Sequence, residues 1–458
     1  MHIEEAIQAT QKVCERIVQT RFESLDARTI FKVKEAIRDG LSVAMAGCQQ
    51  KPVTTLSDYM RSLGSTPVAS VWGHGYKTSM TSAAFVNAAA VHVLDYEPMS
   101  SPSTHAVSPV LPVAMALAEG ESYDGREIIT ACATGFEMQH RLMYAATLGS
   151  RAQQKFHQLG MVGIMGASAT ASRLLSLDVT QMCNAIGIAA SRASALLGNS
   201  GTMTKCTHAG NAAAAGLEAA LLAKRGFDAK PNIIEDEKGY VAAFFPTGPF
   251  DYAKLLDFGG RFRIVEPGMA YKFFPSKYPT QFAITAALDL HKKIGDPSKI
   301  ARVVLTTPRM DDVNRPAPKS GLEGKFSFQY ATAVALLDGK VRIGSFSDER
   351  RFSPDVTALL SKIELNQTTD ITDAFTKMHV VLAVETADGK RYETECRRPK
   401  GFWGVDIRPE EHTEKMRDCM SHALSSAQID AMASLTSTLE TLDAGGVREL
   451  IALMSGKR

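Results

Sequence analysis

The stretch that decides the fold of this 458-residue chain is Val91–Glu119, VHVLDYEPMSSPSTHAVSPVLPVAMALAE. An apolar run ends at the acid Asp95, and a segment of Pro, Ser and Thr that disfavours helix leads to His105. An Ala-rich apolar helix follows, which the sequence predicts to be capped by Ser108 with Pro109 at its first position. The acid and the histidine are thus predicted on one loop between two apolar elements, where chemistry is often found. The alternative is that Asp95 only caps a helix and that His105 is a structural loop residue.

The composition narrows the class of protein. The chain has 51 Lys and Arg against 49 Asp and Glu, a formal net charge of +2, which argues against nucleic acid or a membrane surface as the main partner. Its 7 cysteines form no CxxC pair, which favours a reducing compartment with free thiols. The start of the chain does not resemble a secretory signal, and no run reaches the about 18 apolar residues of a membrane span. We therefore expect a soluble, cytoplasmic protein.

The hydrophobic pattern predicts two domains. Helical spacing dominates up to about residue 265, and short β-like runs then appear at Arg302–Thr306, Lys362–Leu365 and His379–Thr386. Asp388-Gly389 predicts a hairpin between the last of these and Arg391–Cys396. The predicted fold class is mainly α with an α+β second domain. Residues 1–267 form a helical domain, 268–399 a smaller α+β domain, and 400–458 are helices that return to the first domain.

Small residues recur on the predicted helices. Gly160, Gly163 and Gly166 fall on one ridge of the segment GMVGIMGASATA. Such a ridge lets neighbouring backbones approach closely, so we predict a compact helical core.

Common cofactor motifs are absent. The sequence has no HExxH, no zinc-finger spacing, no Walker A loop and no GxGxxG after a strand. It also lacks the GxSxG of hydrolase nucleophile elbows. We predict no metal and no cofactor, so that any catalysis uses side chains alone.

Five cationic or titratable residues lie just before predicted apolar helices: His105, His157, Lys205, Lys272 and Lys277. A helix N-terminus carries free N–H groups and partial positive charge, which suits it to anions. If these helix starts converge, they form a cationic pocket for a small di- or tricarboxylate. The alternative is that each lysine is a solvated loop charge and each histidine a cap.

Six segments together resemble the MmgE/PrpD family of dehydratases, decarboxylases and epimerases, and the resemblance covers almost the whole chain. They are SVWGHGYKTSMTSAAFVNAAAVHVLDYE, THAVSPVLPVAMALAEG, FHQLGMVGIMGASATASRLL, TMTKCTHAGNAAAAGLEAALLAKRGF, YKFFPSKYPTQFAI and VNRPAPKSGLEGKFSFQYATAVALLDG. TMTK-x-x-H-x-GNAA and SFQYATAVALLDG are most similar to the aconitate decarboxylase and epimerase branch. The resemblance implies a helical domain with an α+β lid, a homodimer, no cofactor, and an active site between the domains.

Matched residue by residue, the resemblance also implies which side chains act. The catalytic set is Asp95, His105, His157, Lys205, Lys272 and Tyr330, and the predicted substrate-binding set is Lys277, Ser101 and His208.

The chemistry shared by the family is proton transfer at a carbon next to a carboxylate. His105 is the first choice as proton carrier, because imidazole titrates near neutral pH, and Asp95 would orient it. The lysines Lys205, Lys272 and Lys277 would stabilise charge on the carboxylate oxygens. His157 and Tyr330 would bind carboxylate or carry a second proton, and Lys272 is a rival for the base.

The chain also departs from the family pattern. Relatives often have a second acid and a further histidine where this chain has Glu97, Pro98 and Ser101. Ala106 replaces the usual proline after the loop histidine, and Lys277 stands where the decarboxylase has a histidine. These differences bear on the substrate rather than on the chemistry.

Three outcomes are open from one intermediate. Loss of hydroxide or of CO2 makes a lyase, which we favour, and reprotonation on the other face makes an epimerase or isomerase of a dicarboxylate. A hypothesis from another class is a non-catalytic carboxylate-binding protein that has kept the fold.

Overall fold

The computed structural model describes residues 8–149 and 153–455. Helical spacing in the sequence also predicts a first helix that begins at residue 3. Residues 3–7 lie outside the described part, as do seven of the 17 residues, 1–17, that argue against a secretory signal. Among the described residues, the chain forms two compact units. A helical unit runs to Val93, from Glu97 to Ala270, and again from Ile407, while an α+β unit contains Tyr271–Asp406. The α+β unit also takes in the short segment Leu94–Tyr96, which the sequence did not indicate.

Within residues 8–149 and 153–270, the helical unit has eleven α-helices and one small hairpin. The helices are α1 (Ala9–Gln19), α2 (Ala27–Gly47), α3 (Lys51–Leu63), α4 (Met80–His92), α5 (Val107–Gly120), α6 (Gly125–Ala145), α7 (Gln158–Leu174), α8 (Val179–Ala190), α9 (Thr204–Lys224), α10 (Tyr240–Phe244) and α11 (Tyr252–Leu256), with 3-10 turns at Phe22–Ser24 and Leu197–Asn199. Strands β1 (Ala69–Val71) and β2 (Tyr76–Thr78) pair antiparallel, with Ser70 opposite Lys77. The sequence predicts only a turn-rich connection over residues 64–77, GSTPVASVWGHGYK, and the structure has this hairpin there.

The core of this unit is built on close helix contacts. Helix α7 packs against α6, α9 and α5. A Cβ added at Gly166 would lie 2.6 Å from the carbonyl oxygen of Gly135 on α6, and one at Gly216 on α9 would lie 2.6 Å from the Cβ of Ala167. No side chain fits at such distances, so the prediction that small residues allow close packing here is confirmed.

Two helices begin earlier than predicted. Helix α5 starts at Val107, and Ala106, not Ser108, is its N-cap residue. Ala106 already has helical backbone angles, so the buried Ser108 lies inside the first turn and its hydroxyl donates to the His105 carbonyl at 3.3 Å. Helix α9 starts at Thr204, so Lys205, which was predicted to lie just before an apolar helix, lies inside its first turn.

The α+β unit carries a four-stranded mixed sheet. Its elements are helix α12 (Tyr278–Ile294), strand β3 (Ile300–Pro308), helices α13 (Gly321–Gly324), α14 (Phe328–Asp338), α15 (Asp348–Arg351) and α16 (Pro354–Leu360), and strands β4 (Ile363–Thr368), β5 (Val380–Thr386) and β6 (Arg391–Cys396), with 3-10 turns at Pro297–Lys299, Asp311–Val313 and Ile343–Phe346. The strand order is β4-β3-β5-β6, in which β3 and β4 are parallel and the other pairs antiparallel. Helix α12 packs on β5 and β6, and α14 packs on α12. The predicted hairpin between β5 and β6 is confirmed.

The chain ends with three helices that belong to the helical unit: α17 (Pro409–Ser421), α18 (Ser426–Ser437) and α19 (Ala444–Leu453), with a 3-10 turn at Leu439–Thr441. Helix α17 packs on α2 through a buried charge cluster, in which Lys415 Nζ lies 2.8 Å and His412 Nε2 3.0 Å from Asp39 Oδ2. The predicted fold class, mainly α with an α+β second domain, is confirmed. None of the described helices is long and apolar enough to cross a membrane.

Candidate active site

Four buried histidines of the helical unit lie together, and we call them the histidine cluster: His92, His105, His157 and His208. The ring centroids of His92 and His105 are 4.8 Å apart, those of His105 and His157 6.1 Å, and those of His157 and His208 5.3 Å. Lys205 and Glu97 are also buried and interact electrostatically with members of the cluster. Four of the predicted site residues are therefore brought together within one unit.

Each member comes from the end of a helix. His92 is the last residue of α4, His105 lies two residues before α5, and His157 is the N-cap residue of α7. Lys205 and His208 are one turn apart at the start of α9, so their side chains share one face of that helix. Three of the four helix starts singled out in the sequence thus meet at the cluster, and their free N–H groups add positive potential to it.

The loop between α4 and α5 is fixed to helix α6 and to a later loop. Ser100 Oγ and His140 Nε2 form a buried hydrogen bond of 2.5 Å, and the Gln139 side-chain amide donates to the Ala106 carbonyl at 3.0 Å. The Arg263 guanidinium donates to the carbonyl of Ser101 at 2.9 Å. Ser101, predicted to bind substrate, is half-buried and anchors the loop through this backbone contact. The loop that carries His105 is therefore held from several sides.

Glu97 lies between two histidines of the cluster. Its Oε1 is 2.5 Å from His92 Nδ1 and 3.1 Å from His105 Nδ1, and the carboxylate is fully buried. Burial alone would raise the pKa of Glu97, but His92 and His105 more than offset this and hold it well below its usual range. The carboxylate stays ionised and can only accept hydrogen bonds, so His92 donates from Nδ1.

Three of the four histidines of the cluster, His92, His157 and His208, are held neutral. Burial lowers the pKa of His92 to about 4, with Lys205 acting in the same direction and Glu97 against it. Burial and then Lys205 lower the pKa of His208 to about 4 and hold that of His157 well below its usual value. The Nδ1 atoms of His157 and His208 are 3.1 Å apart, so one of these neutral rings donates and the other accepts. The cluster thus contains three neutral imidazoles, those of His92, His157 and His208, beside Lys205 and the Glu97 carboxylate.

The buried histidines make folding pH-dependent, and we expect the protein to lose stability between pH 7 and pH 5. Burial lowers the pKa of His92 to about 4, and burial with Arg263 and Arg141 lowers that of His140 to about 3. An unfolded histidine titrates near pH 6.5, so below that pH the unfolded chain binds protons that the folded chain does not, and stability falls as pH falls. Each histidine should contribute about 2 kcal/mol of this loss by pH 5.

Urea denaturation at the two pH values measures this loss. The His140→Gln variant should show a smaller difference between pH 7 and pH 5 than the unmodified chain. The exposed His422 supplies the control, since His422→Gln should leave the difference unchanged. Equal unfolding free energies at both pH values would contradict the neutral state assigned to these rings.

Asp95 and Lys272 pair with each other in the α+β unit. Asp95 has a φ of 52°, a left-handed conformation that is uncommon outside glycine, although aspartate tolerates it better than most residues. The buried Lys272 ammonium contacts the Asp95 carboxylate and donates to the Asp95 carbonyl at 2.9 Å. Because two oxygens of one residue hold this ammonium, Lys272 is better suited to be a fixed positive charge than a free base.

The two remaining predicted residues lie elsewhere in the α+β unit. The Tyr330 side chain is fully buried, its hydroxyl donates to the Ser345 carbonyl at 2.6 Å, and burial raises its pKa above the usual value. Lys277 is the N-cap residue of α12 and forms an ion pair with Asp312. Both residues have structural partners in their own unit, and their roles toward a substrate stay predictions.

His92, Glu97 and His105 have the composition of a metal site, and one ligand atom from each lies within 4.8 Å of the others. Ligands with bonds of about 2.1 Å to one ion lie roughly 3 Å or more apart. The 2.5 Å between His92 Nδ1 and Glu97 Oε1 is instead the distance of a hydrogen bond. Lys205 also places a cation close enough to lower the pKa of His92. The arrangement fits an imidazole–carboxylate group better than a metal centre.

The sequence analysis did not name His92 and Glu97 as site residues. Both stand in the opening stretch, at the end of the apolar helix and just after it. A histidine and an acid in so apolar a segment need polar partners when they are buried. That requirement could have indicated that His92 and Glu97 interact with each other. Glu97 was noted only as a departure from the family pattern.

Comparison with known proteins shows the family of this chain. The MmgE/PrpD N-terminal domain matches residues 11–253, and the MmgE/PrpD C-terminal domain matches residues 274–440. The chain belongs to the MmgE/PrpD family. Among its relatives, a cis-aconitate decarboxylase of Homo sapiens is 32% identical over 92% of this chain and 89% of its own length. A cis-aconitate decarboxylase of Mus musculus is 30% identical over 90% and 87%, and one of Aspergillus terreus 23% identical over 78% and 78%. The family resemblance seen in the sequence is confirmed.

Proposed function

We propose that this MmgE/PrpD protein is a cofactor-independent lyase that acts on a small di- or tricarboxylate by proton transfer at carbon next to a carboxylate. The observation that carries the proposal is the buried histidine cluster beside Lys205, in which His105 contacts an ionised carboxylate. The relatives named cis-aconitate decarboxylase favour decarboxylation of a substrate of that kind. Dehydration of a hydroxy acid uses the same proton transfer and is the second form of the lyase proposal.

His105 is our candidate for the proton carrier. A group that carries a proton must exist in both the neutral and the charged form, and the Glu97 carboxylate 3.1 Å away supports the imidazolium. His92 shares this carboxylate, but its pKa of about 4 keeps it neutral at the pH where imidazole usually works. Lys272, the rival base, is paired with Asp95.

Lys205 and the three helix starts supply the charge that such a substrate needs. A carboxylate that enters the cluster meets a buried ammonium and the N-terminal ends of α5, α7 and α9. Fixed positive charge in a dry site stabilises the negative charge that develops on carboxylate oxygens. The neutral His157 and His208 can donate further hydrogen bonds without repelling Lys205.

The decarboxylation balances with one proton. The bond between a substrate carbon and its carboxylate breaks, CO2 leaves, and the electron pair stays on the substrate carbon framework. The imidazolium of His105 then gives its proton to carbon, and solvent restores the proton to His105. In a dehydration, His105 takes the proton from carbon, the bond between carbon and the hydroxyl group breaks, and the hydroxide leaves as water with a proton from solvent. His105 then returns its proton to solvent.

Incubating the protein with cis-aconitate and with other di- and tricarboxylates in heavy water tests the proposal. We expect one acid to release CO2, or to gain an alkene with loss of water, and the product to carry deuterium at the protonated carbon when CO2 is lost. Substrates recovered unchanged, without deuterium and without product, would overturn the proposal. Tight binding of such acids with no turnover would instead support a non-catalytic carboxylate-binding protein.

One observation favours an epimerase as the second candidate. The cluster contains two separate histidine systems, Glu97 with His92 and His105, and His157 with His208. An epimerase needs a proton carrier on each face of the reacting carbon, and two such systems could supply them. Deuterium that washes into recovered substrate, with inversion and no new product, would identify this reaction.

A further inference from the structure

We infer that Glu97 is a positioning residue that fixes the orientation and charge of His105, the role that the sequence analysis gave to Asp95. The inference deepens the proposed function and rests on it for the identity of the proton carrier. Glu97 Oε1 lies 3.1 Å from His105 Nδ1 and 2.5 Å from His92 Nδ1, so one oxygen meets the same atom of both rings. Nε2 of His105 is then the nitrogen left to exchange a proton with a substrate.

His92 supports this arrangement from the opposite side. Its ring is T-shaped to that of His105, with centroids 4.8 Å apart, and it ends helix α4 with almost no exposure. A neutral His92 that donates from Nδ1 holds the Glu97 oxygen in place without neutralising the carboxylate. The negative charge therefore remains available to the one ring that takes up a proton.

The charges around Glu97 act in the same direction. His92 comes from α4 and His105 from the loop before α5, and both favour the ionised carboxylate. His157 at the start of α7 also belongs to the cluster, and Lys205 on α9 interacts with it. Burial, with Lys205 acting in the same direction, lowers the pKa of His92 and of His157 and keeps both rings neutral. Of these groups, His105 is the one that combines contact with the carboxylate with a place at a helix start.

The backbone around Glu97 is also built for a fixed position. Glu97 and His105 stand at the two ends of the loop that Ser100, Ala106 and Arg263 tie to the rest of the helical unit. Within the loop, the Ser100 N–H donates to the Thr104 carbonyl at 2.9 Å. Because these hydrogen bonds hold the loop, the Glu97 carboxylate and the His105 imidazole should keep their separation while the substrate reacts.

The test compares Glu97→Gln with Glu97→Asp and uses the exposed Glu121→Gln as the control. Glutamine keeps the shape but not the charge, so we expect kcat to fall by roughly 10²- to 10⁴-fold while KM changes by less than about threefold. The limb of the kcat profile that reports His105 should move to lower pH, because an amide does not support the imidazolium. This is the alkaline limb for a decarboxylation, in which the ring acts as the acid, and the acidic limb for a dehydration, in which it acts as the base. Aspartate should restore part of kcat, and Glu121→Gln should behave like the unmodified chain. A kcat and a pH profile unchanged in Glu97→Gln would overturn the inference.

A second measurement does not depend on turnover or on the variants folding. Nitrogen-15 NMR of the unmodified protein at neutral pH should show His92 and His105 protonated at Nδ1. If neither lyase nor epimerase activity is found but these tautomers are, the proposed function fails while the positioning of His105 stands. Rings protonated at Nε2 would overturn it. Activity that a chelator removes and Zn²⁺ restores would overturn it as well, because the three residues would then be metal ligands.

Discussion

We expect His105→Gln to lower kcat by roughly 10²- to 10⁴-fold, which is the usual contribution of a positioned proton carrier. Glutamine can occupy a similar volume and can still donate to Glu97, but it carries no proton that exchanges near neutral pH. In the proposed function, Lys205 and the helix starts bind the substrate carboxylate rather than this ring, so KM should change much less. Steady-state kinetics with the acid that the heavy-water experiment identifies provides the measurement.

The matched control is the exposed His422→Gln on the C-terminal side of α17, which removes a histidine far along the chain from the cluster. It should leave both kcat and KM unchanged. If His105→Gln retains more than about one third of the activity, His105 is not the proton carrier, and Lys272 returns as the candidate base. In that event Lys272→Met should carry the large loss.

The histidine cluster illustrates what could and could not be predicted from the sequence. His105, His157 and Lys205 were recognisable because each stands where a polar segment meets an apolar helix, and that pattern is local. The position of Glu97 between His92 and His105 could not be recognised, since it depends on how the chain turns after α4 and returns to α5. The periodicity of a helix places residues on one face, but it does not give the path of the 14-residue loop between α4 and α5.

The starts of α5 and α9 show the same limit at the level of one turn. Ser108-Pro109 has the composition of a capped helix start, and the structure begins the helix before it because Ala106 is already helical. The sequence pattern therefore predicted the helix correctly but placed its first residue too late in the chain. The strands β3, β5 and β6 were predictable because their periodicity and the Asp388-Gly389 turn agree.

We expect Lys205→Met to lower kcat by roughly 10²- to 10³-fold, the usual cost of removing one preorganised charge or donor from a site that stabilises an oxyanion. Methionine keeps the apolar stem of this buried side chain, so the start of α9 should remain folded. The exposed Lys224→Met, in the last turn of the same helix, is the matched control and should have no effect. Equal kinetics for the two variants would contradict a role for Lys205 in the reaction and support the alternative that it is a solvated loop charge.

The same variant makes a prediction that needs no substrate. Lys205 acts with burial to lower the pKa of His208 to about 4 and to hold that of His157 below its usual value. Without the ammonium, the pKa of His208 should rise above 4 but stay below that of an exposed histidine, because burial remains. Nitrogen-15 NMR titration of Lys205→Met and Lys224→Met measures this shift. An unchanged His208 titration in Lys205→Met would mean that the ammonium does not contribute to the lowered pKa of His208 and that burial alone keeps this ring neutral.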